Sequence, residues 1–335
     1  MPQRIHPKPV SLAEIFIKFS TDDQCLEYIK GMRWPDGIVR CPTCGDKNIT
    51  KYERPAVPTR KTRSKTRNEK KTNRRGWFYI CLNKDCRQQF SPTSGTLFAD
   101  SHLPLLTWFH AIGLMLNAKK GISAKQLQRD LGIGGYKTAW YLNHRIREAM
   151  GIGDIPKLGG TVEIDETYVG GKISGKGQAY ARKQKQVVMG AIQRGGDVRL
   201  QHVTGATVGN FREFIQKHVS EGVERVMTDQ HPAYPAALES FDATHETVNH
   251  IRHEYVRGDV TTNTIESVFS LFKRGVIGQY HKLSAKHLQR YLTEFEYRFN
   301  RRNDGDVFIE TVRRLCGFKP LRFAELTSDP EAVPF

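Results

Sequence analysis

The apolar positions of this chain recur at two different periods, and the changes of period divide it into elements. Ser11–Lys30 carries Leu12, Ile15, Phe16, Phe19, Leu26 and Ile29 at helical spacing and predicts a short amphipathic helix. Leu103–Ala118 is apolar nearly all round, which predicts a buried helix. Gly121-Ile122-Ser123 caps a second helix over Ala124–Asp130, Leu131–Gly135 forms a tight turn, and Tyr136–Met150 reads as a third helix. At Thr161 the period drops to two: apolar Val162 and Ile164 alternate with Glu163 and Asp165 in a strand that Gly170-Gly171 ends. Lys185–Gln193 and Asp197–Thr204 flank Arg194-Gly195-Gly196 and predict a hairpin. Phe211–Val219 reads as a helix, and Glu224–Thr228 and Thr244–Val248 as strands. Thr261–Gly275 returns to helical spacing, with Ile265, Val268, Phe269, Phe272 and Val276 on its buried side. A long amphipathic helix marked by Leu288, Tyr291, Leu292, Phe295 and Phe299 ends in Arg298, Arg301 and Arg302.

Composition adds a partner to this outline. The 335 residues allow two or three modules, and 38% hydrophobic content supports folded cores. A net charge of +17, with an isoelectric point near 9.6, calls for a polyanion, nucleic acid first. No apolar run is long enough to span a bilayer and no signal-peptide pattern opens the chain, so a cytoplasmic protein without a membrane role is expected. In that compartment paired cysteines point to metal rather than to disulfides. Cys25, alone in its predicted helix, reads as a small core residue.

Cys41-Pro-Thr-Cys44 and Cys81-(x)4-Cys86 are such pairs, each preceded by aromatic and β-branched residues. Two tight turns offering four thiolates suit a tetrahedral Zn²⁺ site of zinc-ribbon type, structural because four sulfurs leave no open position. Between the knuckles, Lys51–Arg75 holds eleven Lys or Arg against two Glu, a local net charge of +9, with almost no apolar residues. It reads as an arm that neutralises DNA phosphates through residues such as Arg60, Lys61, Arg63, Lys65 and Arg67, or else as a solvated loop. Helices 124–130 and 136–150 around a Gly-containing turn form a helix-turn-helix-like pattern. Lys137 and Arg145 are its candidate DNA contacts, His144 and Arg147 lie beside them, and an ordinary helical bundle is the alternative.

Three acids follow in order: Asp165 on the first strand, Asp229 in T-D-Q-H-P-A-Y at the end of another, and Glu266 on the helix, with 36 residues between the last two. Taken alone, the first strand could be a half-buried edge with a solvated acidic face. Asn263, Glu266, Ser270 and Lys273 share the polar face of the helix, where Asn263 could orient Glu266 or start the helix, and Lys273 could pair with a phosphate or with solvent. His245, His250 and His253 lack a Cys or a close partner and read as loop or DNA-contacting residues rather than a second metal site.

At these residues the chain resembles the Asp-Asp-Glu transposases and integrases, and more narrowly the bacterial insertion-sequence transposases of the ISXO-like kind. The strings that carry the resemblance are V-E-I-D-E-T-Y-V-G-G-K, T-D-Q-H-P-A-Y, T-N-T-I-E-S-V-F-S-L-F-K-R-G, F-S-P-T-S-G-T-L-F and Y-H-K-L-S-A-K-H-L-Q-R-Y-L-T-E-F-E-Y-R-F-N-R-R. The basic arm departs from that family, whose ribbon loop is usually shorter and less charged. The resemblance implies an RNase H-like catalytic domain, and the predicted order of three strands, helix, strand and helix agrees with it independently. It also implies that Asp165, Asp229 and Glu266 hold Mg²⁺ or Mn²⁺, and that a two-metal site cleaves phosphodiester bonds and joins the 3′-OH ends to target DNA.

The expected architecture is α/β. An N-terminal helix and zinc ribbon occupy 1–100 with the insertion at 51–75, a helical DNA-binding region 101–155, an RNase H-like mixed-sheet catalytic domain 156–304 and a C-terminal tail 305–335. Expected partners are DNA, as terminal inverted repeats and target, and further copies of the chain assembled on that DNA. Asn263 and Lys273 join the candidate catalytic residues, and Lys273 and Arg274 the candidate DNA contacts. Two other readings stay open: a metal-dependent nuclease or junction resolvase without joining activity, and a repressor that binds DNA without catalysis.

Overall fold

The computed structural model describes residues 11–53, 77–151, 153, 155–170, 185–249, 254 and 256–328. The N-terminal helical stretch is two helices, α1 (Leu12–Lys18) and α2 (Asp22–Arg33), not one. Thr21 breaks it: its hydroxyl accepts the Gln24 N–H while Gln24 Oε1 accepts the Thr21 N–H, a capping box that starts a new helix. Cys25 is fully buried on α2, and burial pushes its thiol up to about 12, as suits a core residue. The ribbon follows as β1 (Ile49–Glu53), β2 (Trp77–Cys81) and β3 (Gln89–Phe90), antiparallel with Ile49 opposite Cys81 and Tyr79 opposite Phe90. Trp34, Tyr79 and Phe90 form its small core. Most of the basic arm, including Arg60, Lys61, Arg63, Lys65 and Arg67, lies outside the described residues.

The helical region contains α3 (Leu105–Asn117), α4 (Ala124–Asp130) and α5 (Tyr136–Met150). Its core takes Trp108, Phe109, Ile112 and Met115 from α3, Leu127 from α4, and Leu142 and Ile146 from α5. Ile15, Phe19 and Ile29 join from the N-terminal side. The stretch expected as a C-terminal tail contributes too. It contains α10 (Val307–Gly317) and α11 (Phe323–Thr327), and Phe308, Val312 and Leu315 of α10 are buried in this same core. Their spacing of three and four is that of a packed helix face.

A five-stranded sheet forms the second half, from β4 (Thr161–Val169), β5 (Gln186–Gln193), β6 (Val198–Val203), β7 (Arg225–Asp229) and β8 (Thr244–Val248). Its order is β6-β5-β4-β7-β8, antiparallel across the first three and parallel from β4 to β7 to β8, the RNase H-like arrangement. The predicted hairpin is β5–β6, turning at Arg194–Gly196. On one face α6 (Val208–His218) and α7 (Ala233–Leu238) cover Val162, Ile164, Met189 and Val226. On the other, α8 (Asn263–Gly275) and α9 (Ala285–Asn300) cover Val188, Ile192, Val198 and Leu200. A short ribbon, β9 (Val256–Arg257) with β10 (Val260–Thr261), leads into α8.

The helical region and the sheet domain meet in buried polar contacts. Arg147 of α5 and Glu294 of α9 pair at 2.7 Å with both side chains almost wholly inaccessible. Arg298 adds a 3.1 Å bond to the same carboxylate and donates to the Ala118 carbonyl at 2.6 Å. Gly275, at the end of α8, lies so close to the Lys120 carbonyl that a Cβ there would stand 2.7 Å from it. Among the described residues no helix is long and apolar enough to cross a membrane.

Candidate functional site

Alternation on β4 sends its acids to two faces. Asp165 and Glu163 face α8, whereas Glu166 lies on the side of α7, where Tyr234 Oη donates to its Oε2 at 3.0 Å. β7 runs parallel to β4 and is in register from Thr161 opposite Arg225 to Glu163 opposite Met227. Beyond that pairing, Asp165 lies in the middle of β4, still paired with β5, and Asp229 is the last residue of β7. Carboxylate oxygens of Asp165, Glu166 and Asp229 lie within 4.8 Å of one another. Asp229 Oδ1 also takes the His231 N–H at 2.9 Å, and Asp165 Oδ1 the Glu166 N–H at 2.8 Å.

Glu266, the third predicted acid, sits in the first turn of α8 and accepts the Thr262 hydroxyl at 3.0 Å. Gly190, opposite Asp165 on β5, lets that helix approach: a Cβ there would meet Phe269 at 2.7 Å and Ile265 at 2.8 Å. The start of α8 is held from the sheet. Glu163, fully buried, takes the backbone N–H groups of Thr264 at 2.9 Å and Ile265 at 3.2 Å. It also accepts the Thr264 hydroxyl at 2.9 Å and Arg194 Nε at 3.0 Å.

Burial, followed by the charges of Glu166, Asp229 and Glu266, pushes Asp165 up to about 8. Glu166 is raised as well, by burial and then by Asp229. Three acids gathered so closely, all oxygen donors, fit a hard divalent cation of the Mg²⁺ or Mn²⁺ kind. Lys273 is half-buried; burial pulls its ammonium down, the Asp165 charge acts to raise it and Lys185 to lower it. Asn263 is exposed, and its backbone N–H is taken by Thr261 Oγ1 at 3.1 Å, while Arg274 is exposed near the end of α8. Sequence reading passed over Glu166, Tyr234 and Lys185. The Asp165-Glu166 doublet was the available signal, but strand alternation pointed Glu166 away from its neighbour.

The four ribbon cysteines converge as expected. Cys41 Sγ stands 3.7 Å from Cys86 Sγ and Cys44 Sγ 3.6 Å from Cys81 Sγ, with all four sulfurs within 4.8 Å. A tetrahedron with Zn–S bonds of about 2.3 Å has edges of about 3.8 Å, so the thiolates match Zn²⁺.

The helix-turn-helix reading is corrected at one residue. Arg145 is 2% exposed, donates to the Ala99 carbonyl and lies 4.9 Å over the Trp108 ring, so it packs the core and does not reach DNA. His144 and Arg147 are buried alongside it, whereas Lys137 is exposed at the start of α5. His245 lies on β8 and bonds Thr228 at 2.9 Å; His250 and His253 fall outside the described residues.

Residues 157–300 match the ISXO2-like transposase domain, and residues 20–64 the transposase zinc-ribbon domain. A Halobacterium salinarum protein described as an uncharacterized protein in transposable element ISH50 is 28% identical over 297 residues, covering 84% of this chain and 91% of that protein. A solved simian T-cell lymphotropic virus intasome in complex with PP2A regulatory subunit B56 gamma aligns with 64% of this chain and 74% of its own. Its identity is 14% and its TM-score 0.26, too loose a likeness to bear on fold or activity. Asp165, Asp229 and Glu266 all lie inside the first match, and the first cysteine pair inside the second. The chain thus carries a transposase zinc ribbon followed by an ISXO2-like transposase domain, in that order.

Proposed function

We propose that this chain binds the ends of an insertion element, cleaves a phosphodiester bond there in a reaction dependent on Mg²⁺ or Mn²⁺, and joins the freed 3′-hydroxyl to target DNA. The observation that carries this reading is the convergence of Asp165 and Glu166 from the middle of β4 with Asp229 from the end of β7, within a transposase domain that also bears Glu266. Asp165 and Asp229 would hold divalent cations with Glu266, and Glu166 adds a fourth carboxylate. Such ions, when bound, supply Lewis-acid stabilisation of the attacking and leaving oxygens and make a bound water acidic. In cleavage a water oxygen bonds to phosphorus as the bond from phosphorus to the 3′ oxygen breaks, leaving a 5′-phosphate and a 3′-hydroxyl. Joining then uses that 3′ oxygen to displace a second 3′ oxygen on the target strand, which leaves as a hydroxyl, so one acidic site can serve both steps.

Lys273, half-buried beside Asp165, is the candidate partner of the scissile phosphate, and Asn263 stands exposed on the same helix, where it can orient substrate. Lys137 and Arg274 are surface cations suited to backbone phosphate, and the Lys51–Arg75 arm is proposed to add to them. The ribbon, its four thiolates on Zn²⁺, belongs with end binding. Domain limits near 100 and 155, and assembly of several copies on DNA, complete the reading.

The test uses duplexes taken from the DNA flanking the gene. Asp165→Asn, Asp229→Asn and Glu266→Gln should each abolish Mg²⁺-dependent cleavage almost as fully as the triple change, while end binding survives. A pre-cleaved end with a free 3′-hydroxyl should become covalently joined to a second DNA. Cleavage without joining would turn the reading to a nuclease or resolvase, and end binding with no metal-dependent chemistry to a repressor.

A further inference from the structure

A buried carboxylate outside the cluster of Asp165, Glu166 and Asp229 needs its own explanation. Glu163 is fully inaccessible, and removing a carboxylate from water costs several kcal/mol unless donors surround it. It has four: the N–H groups of Thr264 and Ile265, the Thr264 hydroxyl and Arg194 Nε. The two N–H groups belong to the first turn of α8, the positive end of that helix, where backbone donors lack partners within the helix. Thr262, at the N-cap position, makes no side-chain cap to the helix N–H groups; its hydroxyl instead donates to Glu266. The cap therefore comes from a strand 101 residues away in sequence. Arg194, at the β5–β6 turn, completes the clamp: Nη2 donates to the Asp259 carbonyl at 2.7 Å and, more weakly, to that of Thr261 at 3.4 Å. It thus ties the approach to α8 to the same acid.

The chain positions make this more than a stabilising contact. Glu163 lies two residues before Asp165 on the same face of β4, about 7 Å along the strand. Ile265, one of its donors, is the neighbour of Glu266. The path from Asp165 to Glu266 through this hydrogen bond is therefore very short, and the apolar packing of Ile265 and Phe269 on the sheet is non-directional, so the hydrogen bonds set the register more sharply. We infer that Glu163, clamped by Arg194, is a positioning residue that sets the separation of the Asp165 and Glu266 carboxylates. The inference rests on the metal-site reading above.

The readout is Mn²⁺ binding to the full-length zinc-loaded protein, followed by the electron paramagnetic resonance of free Mn²⁺, with thermal stability measured in parallel. Glu163→Gln keeps the shape but turns an amide NH2 toward donors. It should weaken Mn²⁺ binding about tenfold or more while DNA-end binding and zinc content stay at the wild-type level. Thr264→Val, at an exposed position, removes one donor with little risk to folding and should shift Mn²⁺ binding in the same direction by a smaller factor. Wild-type Mn²⁺ affinity in Thr264→Val and in folded Glu163→Gln, alongside a clear loss in Asp165→Asn, would overturn the positioning role and leave the metal site standing. Equal Mn²⁺ binding by wild type and Asp165→Asn would overturn the metal site and this role with it.

Discussion

Tyr234 and Glu166 meet at 3.0 Å, the fully buried phenol donating to a carboxylate whose sequence neighbour is Asp165. The bond holds in place an acid that strand alternation alone would turn away from Asp165. Tyr234→Phe preserves the ring and its packing against Phe211, 4.8 Å away, and removes only the donor. The half-saturating Mg²⁺ concentration for cleavage should rise several-fold, with the maximal rate recovered at high Mg²⁺. A Mg²⁺ titration of Tyr234→Phe and Glu166→Gln that overlays the wild type would remove Glu166 from the site.

Stability of the zinc-loaded protein without added Mg²⁺ should depend on pH in an unusual direction. Folding raises Asp165 to about 8, so the native state holds that proton more tightly than the unfolded chain does. Stability should therefore decline as pH climbs from the ordinary carboxylate range, about 4, toward about 8, and level off above. Glu296, raised to about 7 by burial, adds a slope of the same sign over a narrower window. Thermal midpoints measured across this range should show a shallower decline in Asp165→Asn. Added Mg²⁺ should stabilise the wild type most at the alkaline end, where the carboxylates have lost their protons.

The ribbon should contain about one zinc per chain, and chelation should unfold it. Cys44→Ala should lose the metal by elemental analysis, because three thiolates cannot complete the sulfur tetrahedron. Metal content equal to wild type in that variant would refute the four-cysteine assignment.

Two basic residues of α5 should separate cleanly. Lys137→Ala should leave stability unchanged and lower the salt slope of DNA binding by about one. Arg145→Ala should do the reverse. It empties a buried place over Trp108 and removes the donor to Ala99, a loss on the order of 2 kcal/mol, without altering the salt slope. The comparison needs only thermal melts and binding at several salt concentrations.

What sequence could reveal was set by how local the cause was. Tyr136–Met150 and Ala124–Asp130 emerged with the predicted bounds, and the β5–β6 hairpin within a residue or two, because apolar period and turn glycines act over a few residues. The cysteine pairs were legible from their spacing, whereas Asp165, Asp229 and Glu266 were singled out by the resemblance of the longer strings around them. The break at Thr21 was a local signal too, but a polar capping box lay hidden within a continuing apolar face. Arg145 misled for a longer-range reason: a charge on a helix looks solvated until Trp108, 37 residues earlier, is folded under it. Glu163 and Glu166 depend on partners 101 and 68 residues away, so pattern showed them only as acids on a strand.

The Arg147–Glu294 pair limits how such a protein can be assembled from parts. A helical module whose α5 lacked Arg147 would leave the buried Glu294 carboxylate with Arg298 as its remaining ion-pair partner among the described residues, and breaking a buried pair in this way costs on the order of 3–5 kcal/mol. That is a large fraction of a domain's net stability. The ribbon, by contrast, has a small core of its own among the described residues. The α5 and α9 helices are therefore coupled parts, to be exchanged together or not at all.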